Sequence, residues 1–177
     1  METGLSFLGK GMYTVTEASH LTRVSPTRIT RWVSGYGYKY VGERRRQTAI
    51  WKAHRGKDGT PLTLTFLDLL EVRLVNGFRT QGVSLLTIRK VSQKAQEEFG
   101  FLHPFVSLKF KTDGRAIFRE ITQDTIYEFL KNQRVFEAVV RPFLKDIEFE
   151  GREAKLWWPS PEAPQVVIDP ARCLGKP

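Results

Sequence analysis

The chain has 177 residues, 41% of them hydrophobic and 12% aromatic, with a formal net charge of +9. That is enough apolar material for a real core in one domain or two small ones, and it argues against a mainly disordered chain. The longest stretch without Asp, Glu, Lys or Arg is residues 99–108, well short of the ~20 apolar residues of a membrane-spanning helix. The N-terminus lacks the basic and apolar segments of a secretory signal, and one cysteine, Cys173, excludes an internal disulfide or a multi-thiolate zinc site.

The positive charge is unevenly spread. Residues 1–62 carry 11 Lys/Arg against 4 Asp/Glu, so +7 of the excess lies in the first third of the chain. A concentrated basic field favours a polyanionic partner, nucleic acid above all. Basicity for solubility alone is the plainer alternative.

In chain order, Thr14 and Glu17 form a T-x-x-E capping box that opens a helix, with Val15, Ala18 and Leu21 on one face. A short break at residues 22–24 follows, and Val24 is expected at the buried corner. Ser25 then serves as N-cap and Pro26 as first residue of a second helix, whose inner face is Ile29, Trp32 and Val33 and which Gly35 closes. Two short helices so joined make a helix-turn-helix pattern. With the apolar face inward, Thr27, Arg28 and Arg31 point outward and Thr30 lies at the edge. Such a face suits the major groove, where arginine bonds guanine through a bidentate fork. It reads equally as an ordinary solvated helix face until its context is added.

That context is residues 35–62. Tyr36, Tyr38 and Tyr40 alternate as in a strand, residues 48–51 have strand character, and residues 42–46 form the expected turn. A β-wing of this kind would set Arg44, Arg45 and Arg46 on phosphates, giving affinity and orientation without base reading. The tyrosines, Tyr38 among them, either contact the nucleic acid or pack the wing, and packing is expected for two of the three. Residues 55–59 read as a flexible loop. Thr65 caps a third helix with Asp68 at its third position and a stripe of Phe66, Leu67, Leu70, Leu74 and Phe78. Ser84 caps a fourth, with Ile88, Val91, Ala95 and Phe99 inward, ending at Gly100.

"YTVTEASHLTRVSPTRITRWV" and "LTFLDLLEVRLVNGFRTQGVSLLTIRKV" resemble the DNA-binding domain of the MerR family, although the wing is longer than usual there. The whole chain is similar to VapB-like antitoxins of bacterial type II toxin–antitoxin pairs. The segments "HPFVSLKFKTDGRAIF", "VVRPFLKDIEFEGREAKLWWPS" and "VVIDPARCLGKP" carry that likeness. It implies a MerR-like half joined to a domain that is paired with a PIN-like toxin. In those antitoxins the final segment opens a further small domain, of which residues 159–177 are expected to be an incomplete start.

In the second half, His103-Pro104 breaks the helix. Residues 108–111 and 116–118 flank an Asp113-Gly114 hairpin signal. Residues 125–144 are helical, with a break or kink at Pro142. A second hairpin is expected around Gly151-Arg152. Trp157 and Trp158 are adjacent, so on a strand they face opposite ways; one is a candidate for a partner interface unless Phe149 and the tail cover both. Residues 159–164 read as a linker.

The expected architecture is α+β. A MerR-like winged helix-turn-helix with two further helices occupies residues 1–100. A small unit of β-hairpins and a helix for dimerisation or partner binding spans 101–158, and a linker with an incomplete C-terminal domain spans 159–177. Catalysis finds no support: His20, His54 and His103 lack ligand spacing, Gly35 and Gly37 make no phosphate loop, and Asp68, Glu71, Asp113 and Asp124 make no convincing nuclease cluster. The expected protein is a non-enzymatic, cytoplasmic bacterial repressor with no metal or other cofactor, associated with the nucleoid when on DNA. Its expected partners are operator DNA, a second copy of itself and a PIN-like toxin, with no membrane contact. The alternatives are a MerR-like regulator sensing a small ligand, or a toxin-binding module that reads no DNA sequence.

Overall fold

The computed structural model describes residues 11–51, 53, 61–107, 110, 114, 116–117, 126–151, 153–160 and 162–172. A two-residue strand, β1 (Tyr13–Thr14), pairs antiparallel with β4 (Thr63–Leu64), setting Tyr13 opposite Leu64. Each strand runs straight into a capped helix. Thr14 caps α1 (Val15–Thr22) and Thr65 caps α3 (Phe66–Thr80). In both boxes the threonine hydroxyl accepts from the N3 amide while the N3 carboxylate accepts from the threonine amide. Four otherwise orphaned donors are thereby satisfied, and the ladder ties the two helix starts together.

Between them, α1 ends at Arg23 in the left-handed region, and α2 (Pro26–Ser34) follows with Val24 buried at the corner. Ile29, Trp32 and Val33 face inward as their spacing demands. Ser25 stands at the N-cap, but its side chain makes no capping bond; Pro26 removes one orphan donor instead. After α2, β2 (Tyr36–Tyr40) and β3 (Glu43–Gln47) form a hairpin. This corrects the expected turn at residues 42–46: the turn is Val41-Gly42, and Arg44, Arg45 and Arg46 lie on a strand. Residues 48–51 are not a strand; they carry Ile50 and Trp51 back into the core. The loop expected at residues 55–59 lies outside the described residues.

The α3 helix is the axis of the molecule. Leu69, Leu70, Val72, Leu74, Val75 and Phe78 are fully buried along it, so it has neighbours on several sides rather than one apolar stripe. It contacts α1, α4 (Leu85–Phe99) and α5 (Ile126–Lys145). Ser84 caps α4 through the Thr87 amide, and Gly100 ends it in the left-handed conformation. At Gly77 an added Cβ would lie 2.8 Å from Val139 of α5, so the crossing of α3 and α5 depends on a missing side chain.

Two expectations for the second half are corrected. The Asp113-Gly114 hairpin is replaced by helix: Phe110, Gly114, Ala116 and Ile117, the residues described there, are helical. Phe110 is fully buried against Phe105 and Phe136, and its ring lies where a Cβ on Gly114 would stand. Core packing of one aromatic outweighs a short-range turn signal. And of the break or kink expected at Pro142, the break is absent: α5 runs through Pro142 to Lys145. The second hairpin is present as β5 (Ile147–Glu150) and β6 (Glu153–Trp157), turning at Gly151. Beyond it the chain returns: Ile168 exchanges two backbone hydrogen bonds with Trp157 and is fully buried. The architecture is α+β, with small antiparallel hairpins around helices. Among the described residues no helix is long and apolar enough to cross a membrane.

Candidate nucleic-acid interface

Burial of Ile29, Trp32 and Val33 leaves the other side of α2 to solvent, and Thr27, Arg28, Thr30 and Arg31 are all exposed. The hairpin stands beside this face, held at its base by four contacts. The Ile50 amide donates to the Trp32 carbonyl at 2.7 Å. Arg89 of α4 donates through Nε to the Thr48 carbonyl at 3.0 Å. Gly35 has φ 69°, and a Cβ there would collide with the Gln47 carbonyl, so only glycine lets α2 pass this closely into β2. Last, the Arg31 guanidinium lies over the Tyr36 ring, 5.2 Å from its centre. Burial pulls the Arg89 pKa down, partly offset by Tyr36.

Strand alternation gives the hairpin two unlike faces. Tyr36, Tyr38 and Tyr40 lie opposite Gln47, Arg45 and Glu43, whereas Gly37 and Lys39 lie opposite Arg46 and Arg44. The three adjacent arginines are therefore divided. Arg44 and Arg46 share a cationic face with Lys39. Arg45 belongs to the tyrosine face, stacked 4.7 Å over Tyr40 and 3.4 Å from the Glu43 carboxylate. Packing was expected for two of the tyrosines; only Tyr36 is half-buried, while Tyr38 and Tyr40 are 40% and 54% exposed.

The turn is unusual. Val41 has φ 47° and Gly42 φ 82°, and positive φ at both central residues is what a type I′ turn requires. Asn, Asp or Gly normally fills the first of these positions. A β-branched residue there costs on the order of 1–3 kcal/mol, and Val41 recovers nothing by burial because it is 86% exposed. Nothing in the sequence read locally announced this strain; it becomes visible only once the turn is placed.

Beneath the helices lies a buried polar network that residue spacing did not announce. Asp68, expected only at the third position of a capped helix, accepts from Trp51 Nε1 at 2.6 Å and lies 2.8 Å from His103 Nε2. Its other oxygen accepts from the Thr65 amide and hydroxyl. Burial would raise the Asp68 pKa, but His103 and Thr65 outweigh it and hold the carboxyl below its ordinary value. One helical turn on, Glu71 is fully buried, and burial together with the Asp68 charge drives its pKa well up, against the pull of the Phe105 and Val106 amides. The network braces the segment after the hairpin (Trp51) against the start of the second half (His103). Among the described residues no three His, Cys, Asp or Glu side chains gather to hold a metal ion.

The two tryptophans differ in burial. Trp157 has no exposed surface in the single chain; its ring lies under Arg73, which also bonds Asp146 at 2.9 Å. The expectation of a partner contact is thereby narrowed to Trp158, which is half-buried. Trp157 belongs to the core because β6 is covered by Ile168 on its open edge.

No protein-family model matches the chain. It is 26% identical, over 187 residues, to the Mycobacterium tuberculosis protein named "Putative antitoxin VapB45", covering 94% of this chain and 75% of that protein. Its fold is similar to the crystal structure of Rv2018 from Mycobacterium tuberculosis, with a TM-score of 0.69 at 24% identity, over 93% of this chain and 77% of that one.

Proposed function

We propose that this chain is a sequence-specific DNA-binding repressor that serves as the antitoxin of a toxin–antitoxin pair. The observation that carries the DNA reading is the placement of Thr27, Arg28, Thr30 and Arg31 on the open side of α2, beside a basic hairpin fixed to the same helix. On this reading α1, α2 and the hairpin work as a MerR-like winged helix-turn-helix. Arg28 and Arg31, with both threonines, read base edges, and Arg44, Arg45 and Arg46 hold phosphates. Tyr38 contacts the backbone from the exposed part of the wing. A single short helix reads too few base pairs to find one site, so the working form is a homodimer on a two-fold operator.

The antitoxin half of the reading is supported by similarity to the protein named VapB45. The toxin would be PIN-like, and the second half, residues 101–158 with Trp158, is the surface offered to it or to the second copy. The chain performs no catalytic step in this scheme.

The test is binding of the 177-residue chain to the duplex upstream of its own gene and to a scrambled duplex of equal length, at two salt concentrations. A preference for the upstream duplex that persists at the higher salt is expected. Equal and steeply salt-dependent binding to both would reduce the site to a basic surface.

A further inference from the structure

The two faces of the β2–β3 hairpin differ in charge as much as in shape. Lys39, Arg44 and Arg46 share one face with no acid among them, so that face suits phosphate and repels a copy of itself. The other face holds Tyr36, Tyr38 and Tyr40 with Gln47, Arg45 and Glu43. Its one cation and one anion stand 3.4 Å apart and cancel, which leaves a neutral, aromatic surface. An exposed carboxylate without excess cations is poorly suited to a phosphate backbone. Tyrosine and arginine around a charge-neutral centre are instead the composition of protein interfaces.

Tyr38, Tyr40, Val41, Leu86 and Leu102 are the large hydrophobic residues that stand exposed among the described residues, and the first three lie together on this hairpin. Arg31 covers Tyr36, and the Tyr36 and Tyr38 rings meet at 6.1 Å, so the aromatic surface runs from α2 outward to the tip. The face is also its own complement. Arg45 and Glu43 are two residues apart on one strand, with both side chains more than half exposed. When one copy is turned onto another about a two-fold axis between these positions, each Arg45 lies over the partner's Glu43. Tyr38 and Tyr40, which stand opposite them on β2, then interleave around the same axis. The area is small. Five residues reach roughly 17 Å at about 3.3 Å per residue, and a face two strands wide falls well under the ~800 Å² per partner of a stable complex. Such a contact is weak in free solution and fills where copies are held together, as at the about millimolar effective concentration of neighbours on one duplex.

We propose that the tyrosine face of the β2–β3 hairpin is a contact between two copies of this chain, in which Arg45 exchanges its own Glu43 for the partner's Glu43. The cationic face is left to DNA. Arg44 and Arg46 keep the phosphates, the Tyr38 ring packs between copies with its hydroxyl at the rim, and Arg45, already paired in the single chain, turns to the partner. The contact follows from the charge and register of the hairpin, so it goes beyond the DNA-binding reading and does not require it.

Sedimentation velocity of the full chain without DNA, from about 10 to about 500 µM, reads the contact as a concentration-dependent association step. Glu43→Arg leaves two cations on the face and Arg45→Glu two anions. Each should weaken the step about tenfold or more, since like charges then meet across the axis. An equimolar mixture of the two variants should restore it as a mixed pair. Both positions are exposed, so unfolding curves should not move. Non-specific repulsion between basic chains predicts otherwise: Glu43→Arg raises the net positive charge and Arg45→Glu lowers it, so association would fall in one and rise in the other. That result, a mixture that fails to recover, or an unsubstituted chain with no association step would overturn the proposal. If both variants associate as before but no longer capture the neighbouring gene's product, the face belongs to that protein and not to a second copy. A chain that associates yet does not distinguish upstream from scrambled duplex would break the DNA reading and leave this contact standing.

Discussion

The β2–β3 and β5–β6 hairpins have strands of four or five residues, yet the fold treats them oppositely. In β2–β3 no strand residue is fully buried, and four of the five β3 residues are exposed. In β5–β6, Ile147, Ala154 and Trp157 enter the core, the chain after β6 returns to cover Trp157, and Arg73 of α3 joins the hairpin to the central helix through Asp146. A two-stranded ribbon alone is marginal in water. The inner hairpin is stabilised by what it buries. The outer one buries little, has a strained turn, and is held at its base by α2 and α4. An element kept in place without contributing to the core is a candidate for contact with something else, whereas one that fills the core is scaffold.

The comparison breaks most sharply at Trp157. Trp157→Ala should destabilise the protein by ~3–5 kcal/mol, because a large, fully buried ring leaves a cavity under Arg73 and Ile168. Thermal or denaturant unfolding reads this directly. Tyr40→Ala on the outer hairpin should shift the same curve by no more than ~0.5 kcal/mol. Equal losses at both positions would mean that the outer hairpin is also core.

The brace between the halves should be next in size and dependent on pH. Asp68→Asn removes the charged acceptor of Trp51, His103 and Thr65 and should cost ~2 kcal/mol near neutral pH. The folded protein holds the Asp68 pKa below its ordinary value, so this stabilisation is complete above that value and fades as pH falls through the folded one. Glu71 has the opposite sign. Its folded pKa is raised, so the unfolded chain ionises first and stability is lost as pH rises above the ordinary glutamate range. Glu71→Gln should therefore gain on the unsubstituted protein with increasing pH. Unfolding curves collected from acid to neutral pH test both signs, and a constant offset for either variant would contradict the assignment.

At the outer surface the effects should appear in binding and not in stability. Arg28→Ala and Arg31→Ala should each weaken binding to the upstream duplex by ~1–3 kcal/mol and relax discrimination at particular base pairs. Arg31→Ala should also loosen the hairpin, since its guanidinium covers Tyr36. The smallest effects belong to the wing. Arg44→Ala and Arg46→Ala should weaken all duplexes alike and lower the salt slope by about one each. Arg45→Ala should lower it less, because Glu43 already pairs with that charge. A salt titration across the three variants sharpens the division between the two hairpin faces; identical slopes would erase it.

How much of this was legible in the sequence depended on the range of the interaction. Both capping boxes, the inner stripe of α2, the end of α4 at Gly100 and the Gly151 hairpin follow from residues three or four apart, and the structure has each of them. The candidate base-reading face was legible for the same reason: fixing Ile29, Trp32 and Val33 inward leaves Thr27, Arg28, Thr30 and Arg31 outward by helical geometry. The helical state of Phe110, Gly114, Ala116 and Ile117 was not, because the Asp113-Gly114 signal is local while Phe110 is placed by Phe105 and Phe136. Nor was the role of Asp68, whose partners Trp51 and His103 lie 17 and 35 residues away.

The sequence alone thus determined the capped helices of the first 100 residues and the concentration of positive charge in the first third of the chain, since these depend on near neighbours and on composition. Tertiary structure decided which arginines share a hairpin face, that Trp157 is interior, and that Val41 stands strained and exposed at a tip. Strand register, burial and turn geometry arise only when distant segments meet, and no window of a few residues contains that information.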